Sequence, residues 1–208
     1  INTDFLEYCN SCNIKYDLII GNPPYVRMEG FKELKEYLKK NYVSHDERSD
    51  LYVYFIERAH KILKIHGLFG MIVSNKFLRA NYGKPLREFL NQNAEIRHII
   101  DFAGLPVFLG ATVRTIILLT SHCKDGMNPI LYSPPLSVDK FFAVANGLIS
   151  VEQAIADSTF EVAPTALLEP YWNFAKQDDS ALLNQLSKEY KPLKEYCKGR
   201  IFMGIKSG

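Results

Sequence analysis

The sequence predicts an α/β protein organised around a strand–helix–strand unit of parallel sheet, and three observations carry that prediction. An apolar run, Leu18-Ile19-Ile20, is bounded by Tyr16-Asp17 on one side and by Gly21-Asn22-Pro23-Pro24 on the other, the mark of a short buried strand that stops abruptly at its carboxyl end. Over residues 50–65, Leu51, Tyr54, Phe55, Ala59, Ile62 and Leu63 recur at helical spacing, which predicts a core-facing helix. The apolar run 68–73 then supplies a second buried strand, and two parallel strands need such a crossover helix between them.

The remaining elements follow in order. After Tyr25 a polar stretch runs to Ser49, with a short helix predicted over 31–41 and a mobile loop over 44–48. Ser49 or Asp50 is placed to cap the 50–65 helix, and Gly67 to end it. Pro85 suits the first turn of a helix over 85–91. Residues 96–102 read as a third strand, and the β-branched run 112–120 as a fourth. Beyond Asn128 the pattern changes: Pro129, Pro134 and Pro135 break the periodicity. Weaker helical spacing returns over 139–156 and 178–190. The stretch 161–172 is apolar but irregular and takes no assignment. No internal repeats or low-complexity segments occur.

At 208 residues, 47% hydrophobic and 23% charged, the chain has the composition of a soluble globular protein, one main domain with an appendage. No apolar run approaches a membrane span and the first residues lack a signal peptide's pattern, so a cytoplasmic protein is expected. The formal net charge of +2 is too small to announce a nucleic-acid binder, so any such affinity must come from local clusters. Lys32, Lys35, Lys39 and Lys40 form one, and Arg79, Lys84 and Arg87 another. A basic tail carries Lys188, Lys191, Lys194, Lys198, Arg200 and Lys206. Each also suits an ordinary solvated helix face. The four cysteines, Cys9, Cys12, Cys123 and Cys197, lack the second close pair or histidine set of a zinc site, so reduced structural thiols and no bound metal are expected.

Asn22-Pro23-Pro24-Tyr25 suggests a particular chemistry. In an open α/β sheet, ligands bind at the carboxyl ends of the strands, where this tetrapeptide falls. A conjugated nitrogen is a poor nucleophile until its delocalised lone pair is localised. The Asn22 side-chain oxygen offers one acceptor for its hydrogens. The Pro23 carbonyl offers another, because Pro24 holds Pro23 extended and both prolines fix φ. With both hydrogens held, the nitrogen can pyramidalise toward a methyl donor, and Tyr25 presents a flat face to the ring carrying it. The same four residues suit a plain strand-terminating turn, and the tetrapeptide alone leaves both readings open.

A longer series of segments narrows them. Asp4-Phe5-Leu6, Tyr16 through Tyr25, Asp50-Leu51-Tyr52-Val53-Tyr54-Phe55, and Ser74-Asn75-Lys76-Phe77-Leu78-Arg79-Ala80-Asn81-Tyr82-Gly83 resemble, in order, the motifs of gamma-class adenine-specific DNA methyltransferases. These are the TaqI-like enzymes of type II (IIG) restriction-modification systems, often fused to a nuclease. The resemblance implies the carboxyl-terminal half of a Rossmann-like S-adenosylmethionine-dependent methyltransferase sheet with flanking helices, plus a partly helical carboxyl-terminal extension. It divides the chain into a partial catalytic domain (1–135), a connecting region (136–190) and the start of a target-recognition domain (191–208). It makes Asn22, Pro23, Pro24 and Tyr25 catalytic. Asp4 becomes the acceptor for the cofactor's adenine amine, and Phe5 the stacking face beside that ring. Tyr25 and Phe108, the latter matched through Val107-Phe108, become the two walls around a flipped adenine in double-stranded DNA. Lys76, at the carboxyl end of the second strand on the same rim as Asn22, is placed to face DNA phosphate or the cofactor's methionine carboxylate, and equally suits a plain loop lysine.

The family's glycine-rich cofactor loop is not found, and Gly67-Leu68-Phe69-Gly70 is no substitute, since it leaves a helix and enters a strand. The chain begins at Ile1 and the family carries that loop upstream of Asp-Phe, so a partial cofactor site, and an isolated chain without activity, are expected. Two rival readings stand beside this one. Protein-glutamine methylation uses the same Asn-Pro-Pro-Tyr logic on a side-chain amide, but the 50–83 block and the recognition-like end argue against it. The other rival is a noncatalytic DNA-binding or scaffolding piece. No Pro-Asp followed by Glu-x-Lys marks a nuclease here.

Overall fold

In the computed structural model one six-stranded mixed sheet organises residues up to Phe174, and residues 175–208 form a separate unit. Described are residues 5–8, 14–108, 114–122, 128–174, 176, 182 and 185–200. The strands are β1 (Tyr16–Gly21), β2 (Leu63–Ser74), β3 (Ala94–Asp101), β4 (Thr115–His122), β5 (Ile130–Ser133) and β6 (Phe160–Val162), in the order β1-β2-β4-β3-β5-β6. β1 runs parallel to β2 and β3 to β5, whereas β2–β4, β3–β4 and β5–β6 are antiparallel. The helices are α1 (Phe5–Tyr8), α2 (Lys35–Asn41), α3 (Tyr52–Ile62), α4 (Lys84–Asn93), α5 (Val138–Ala145) and α6 (Val151–Ile155). β1, α3 and β2 are the predicted strand–helix–strand unit. The sheet continues past residue 135, since β6 pairs with β5. In the second unit, residues 185–189 and Leu193–Tyr196 are helical.

Side chains alternate across a strand, and here the alternation separates two cores. Ile99, Ile116 and Leu118 join the main core with Val53, Ile56, Leu86 and Leu90 of α3 and α4. Their neighbours Ile100 and Ile117 join another cluster with Phe141, Ala154 and Ile155 of α5 and α6. The middle of the sheet is therefore covered on both faces. A third cluster gathers Leu6, Met28, Phe31, Leu38, Tyr42 and Tyr54 and fixes the segment that follows Tyr25.

Five expectations are corrected. β1 is not buried: it pairs only with β2, Ile19 packs on the main core, but Leu18 is 57% and Ile20 73% exposed. An apolar run specifies a strand without specifying what covers it. Gly67 does not end α3, which stops at Ile62. It lies inside β2, where Leu63 pairs with Tyr16 and Leu68 with Leu18, so the intervening residues bulge out. A Cβ on Gly67 would sit 2.9 Å from the Lys64 carbonyl oxygen, which is why the bulge needs glycine. Neither Ser49 nor Asp50 caps α3 through its side chain. The 44–48 loop is held at its start: the fully buried Glu57 carboxylate accepts from the backbone of Val43 (3.1 Å) and Ser44 (2.8 Å) while pairing with Lys61 at 2.5 Å. The predicted 139–156 helix is two, α5 and α6, separated by a turn with Gly147 at φ 69° and restarted by the capping box of Ser150 and Gln153.

His60 on α3 is fully buried against Phe69, with ring centroids 4.7 Å apart. Its Nδ1 lies 2.9 Å from the Ile56 carbonyl, which can only accept, so Nδ1 carries the hydrogen and the Thr120 hydroxyl donates to Nε2 at 2.8 Å. Burial pushes its pKa down to about 4 from 6.5. Below pH 6.5 the unfolded chain takes up a proton that the folded chain refuses, so stability falls as pH drops from about 6.5 to about 4, by roughly 3 kcal/mol in all. Urea midpoints should show that loss in the native protein, and a His60→Gln variant should lack most of it.

Candidate active site

Because β1 and β2 are parallel, their carboxyl ends share one rim of the sheet. Gly21 pairs with Met71, and the chain leaves β1 at Asn22 while β2 runs on to Ser74. Asn22 is exposed there, Pro23 buried, Pro24 exposed and Tyr25 half-buried. The Tyr25 hydroxyl donates to the Ile72 carbonyl at 2.9 Å, tying the tetrapeptide to β2. Burial pushes that hydroxyl's pKa up to about 12, so it stays a neutral donor. One residue on, the Val26 carbonyl accepts from the Leu51 backbone at 2.8 Å, joining the same segment to the start of α3. Beyond β2, the Ser74 hydroxyl accepts from the Lys76 backbone and caps the 3-10 turn Asn75–Leu78.

The structure brings Tyr25 and Phe108 together. Their centroids are 5.6 Å apart and their planes inclined at 60°, an edge contact. Two walls around a stacked base must be nearly parallel and about 7 Å apart, two ring thicknesses at the ~3.5 Å spacing of contacting atoms. The expected open slot is therefore closed here, because an edge contact is favourable between aromatic rings with nothing between them. Phe5, on α1, stacks on Phe55 of α3 at 5.1 Å and 16°. Asp4 lies outside the described residues, as do Cys9, Cys12 and Cys123.

Beside the tetrapeptide opens a cleft of about 530 Å³, whose lining includes Arg27, Lys32, Lys35, Arg48, Asp50 and Lys76. Lys35 is paired with Glu47 at 2.7 Å. Asp50 is raised above its ordinary value by partial burial, with Lys76 and Arg27 drawing it back, and Tyr82 lines the same cleft. The Tyr82 hydroxyl in turn lies 3.4 Å from that of fully buried Tyr52. Sequence reasoning found Lys76 here but missed Arg27, Arg48, Asp50 and Tyr82. Asp50 and Tyr82 stood inside quoted motifs, and the signal was the packing of charge just after Tyr25.

The Arg79, Lys84 and Arg87 cluster does not survive as a surface patch. Arg87 is buried, and its guanidinium donates to the carbonyls of Phe77, Ala80 (3.0 Å) and Pro170 (2.6 Å). It staples the loop that carries Lys76 instead of facing solvent. Gly83 closes the same loop, where a Cβ would lie 2.2 Å from the Phe77 carbonyl oxygen. Among the described residues, no three His, Cys, Asp or Glu side chains gather as a metal site, and no helix is long and apolar enough to cross a membrane.

A mixed α/β sheet with a polar tetrapeptide at the carboxyl rim of a parallel pair defines a class of protein, and comparison identifies it. Residues 2–108 match the Eco57I restriction-modification methylase family, and the chain belongs to it. It is similar to the type II methyltransferase M.BstVI of Geobacillus stearothermophilus, 40% identical over 49% of this chain and 18% of that protein. The type II restriction enzyme and methyltransferase RM.Eco57I of Escherichia coli is 36% identical over 51% of this chain and 11% of its own length. The type II methyltransferase M.PaeR7I of Pseudomonas aeruginosa is 27% identical over 93% of this chain and 34% of its own length. The chain thus spans about a third or less of the length of these relatives. In fold it resembles a putative class I S-adenosylmethionine-dependent methyltransferase from Listeria monocytogenes, with TM-score 0.50 and 19% identity over 68% of this chain and 43% of that one. It also resembles the type IIG restriction endonuclease BpuSI, with TM-score 0.54 and 17% identity over 83% of this chain and 22% of that one.

Proposed function

We propose that the protein transfers a methyl group from S-adenosylmethionine to the exocyclic amine of an adenine flipped out of double-stranded DNA. The observation that carries this reading is the position of Asn22: exposed, at the carboxyl rim of a parallel strand pair, with Tyr25 anchored beside it. The cofactor, when bound, supplies an electrophilic sulfonium methyl. Asn22 Oδ1 and the Pro23 carbonyl accept the two amine hydrogens and turn the nitrogen lone pair outward. Held in this way, the amine nitrogen would take the methyl group in exchange for one of its protons, which is acidic only once the nitrogen is methylated and passes to solvent. No strong base is required.

The donor set fits the cofactor in part. Phe5 is a half-buried aromatic on a helix held against α3, suited to stack on an adenine ring, and Asp4 precedes it. These two would provide one side of the site, and the chain by itself is expected to be inactive. Residues 191–208 are read as the start of a target-recognition domain. A nuclease in the same protein is in keeping with the double naming of RM.Eco57I.

Base extrusion costs a few kcal/mol, and an aromatic stack returns roughly 1–3 kcal/mol per base. Parting Tyr25 from Phe108 forfeits about 0.5–1.5 kcal/mol of that return. Stacking alone therefore does not hold the flipped state, and phosphate contacts must supply the rest. The reading is tested by giving the intact protein labelled S-adenosylmethionine with duplex DNA or with release-factor protein, then digesting the product to nucleosides. Label in N6-methyladenine is expected. Label in a glutamine side chain, or in cytosine, would replace this reading.

A further inference from the structure

We propose that the cleft beside Tyr25 is a phosphodiester seat: Arg27, Lys32, Arg48 and Lys76 receive a backbone phosphate of the DNA strand carrying the target base, and Lys35 joins them when phosphate displaces Glu47. The proposal rests on the DNA-methyltransferase reading and assigns it a second site.

Charge is the first argument. The lining holds five cations, Arg27, Lys32, Lys35, Arg48 and Lys76, and three carboxylates, Glu29, Glu47 and Asp50. The cleft alone therefore carries a formal +2, equal to that of the whole chain. A concavity lined by more cations than carboxylates focuses field lines on an incoming anion.

Position is the second. Arg27 follows Tyr25 by two residues, so their Cα atoms are at most about 7 Å apart. Lys76 follows Ser74 at the end of β2, and Tyr25 itself is anchored to Ile72 of that strand. A base held on Tyr25 stays covalently tied to its own phosphates, and these are the anions within reach.

The construction of the cleft is the third. Asp50 shares the lining of the cleft with Lys76, Arg27 and Tyr82, and the Tyr82 hydroxyl lies 3.4 Å from that of buried Tyr52. The Asp50 carboxylate attracts both cations before any ligand arrives, which lowers the ordering cost of binding. The Lys35–Glu47 pair at the rim is different. Both side chains are partly or largely exposed, 33% and 64%, and exposed pairs are held weakly. A phosphate can therefore exchange for Glu47 there.

Salt dependence reads this directly. In the intact protein, Arg27→Ala and Lys76→Ala should each reduce the slope of log K against log salt for a labelled random-sequence duplex by about 0.9, weakening binding roughly five- to tenfold at 0.1 M salt. Glu47→Gln should act oppositely, with tighter binding and a steeper slope. Binding of S-adenosylmethionine without DNA should stay within twofold in all three. Unchanged slopes in both cation variants, or weaker DNA binding by Glu47→Gln, would overturn the proposal. Loosened cofactor binding with an unchanged DNA slope would also overturn it and assign the cleft to the methionine carboxylate. The slope needs no methyl transfer, so it judges the cleft whether or not adenine proves to be the acceptor.

Discussion

Asn22→Ala is expected to lower methyl-transfer turnover by a hundredfold or more while duplex binding stays within a few fold of the native value. The amide oxygen at this position acts on hydrogens whose acidity rises only as the N–C bond forms. It is therefore worth more in the transition state than in the ground-state complex. Removing one such positioned group costs about 2.7–4 kcal/mol in turnover, and a loss confined to the transition state lowers kcat and kcat/KM together. Asn22 is exposed at the strand end and is not part of the hydrophobic cores, so its truncation should leave the fold intact. Single-turnover transfer and duplex affinity, measured on the same preparation of the intact protein, separate the two effects. A variant that transfers methyl groups at the native rate would remove Asn22 from the chemistry, and Tyr25 with Pro23 would have to account for it alone.

What the sequence made legible, and what it hid, divides by the range of the interactions involved. β1, α3 and β2 were readable because each announces itself over a few residues, through an apolar run or a 3.6-residue period. The placement of Asn22 on their common rim follows from connectivity alone. Burial was less readable. Leu18 and Ile20 look like core residues, but their exposure depends on what lies over β1, which is long-range information. Gly67 looked like a helix terminator, because a glycine after a helix usually is one, and nothing local signals a bulge set by the register of a strand 47 residues away. Arg87 looked like surface for the same reason: its carbonyl partners are Phe77, Ala80 and Pro170, and the last is distant in sequence. The Tyr25–Phe108 pair came out of family resemblance and no local pattern, and the closed edge contact between the rings is a matter of tertiary geometry. The cleft was half visible, as scattered charges whose convergence only the fold reveals.

The stretch 161–172, which took no assignment from its sequence, ends in the residue whose loss should damage the fold most. Trp172 is 1% exposed and packs edge-on against Phe77 (6.2 Å) and Phe174 (6.4 Å). Its indole N–H donates to the Leu167 carbonyl at 3.0 Å, and its backbone N–H donates to the Leu78 carbonyl at 2.9 Å. Beyond the end of β6 and the 3-10 turn Pro164–Leu168 the segment is a strap, held by single contacts to other elements instead of a repeating ladder. Asn91 grips its Leu167 carbonyl, Arg87 its Pro170 carbonyl, and Tyr171 and Asn173 reach Asn81 and Arg79. Trp172→Ala should cost about 3–5 kcal/mol, a fall in melting temperature of roughly 6–20 °C for a domain of this size. Trp172→Phe should recover most of it by refilling the space beside Phe77. The loop from Asn75 to Gly83 rests on this strap and carries Lys76, so the alanine variant should also lose part of its salt-dependent DNA affinity, even at temperatures where it remains folded. Calorimetry and anisotropy on the two variants check both halves. An alanine variant that melts within a degree of the native protein would mean that the strap is not what holds the loop, and the rigidity of the Lys76 side of the cleft would have to come from Arg87 alone.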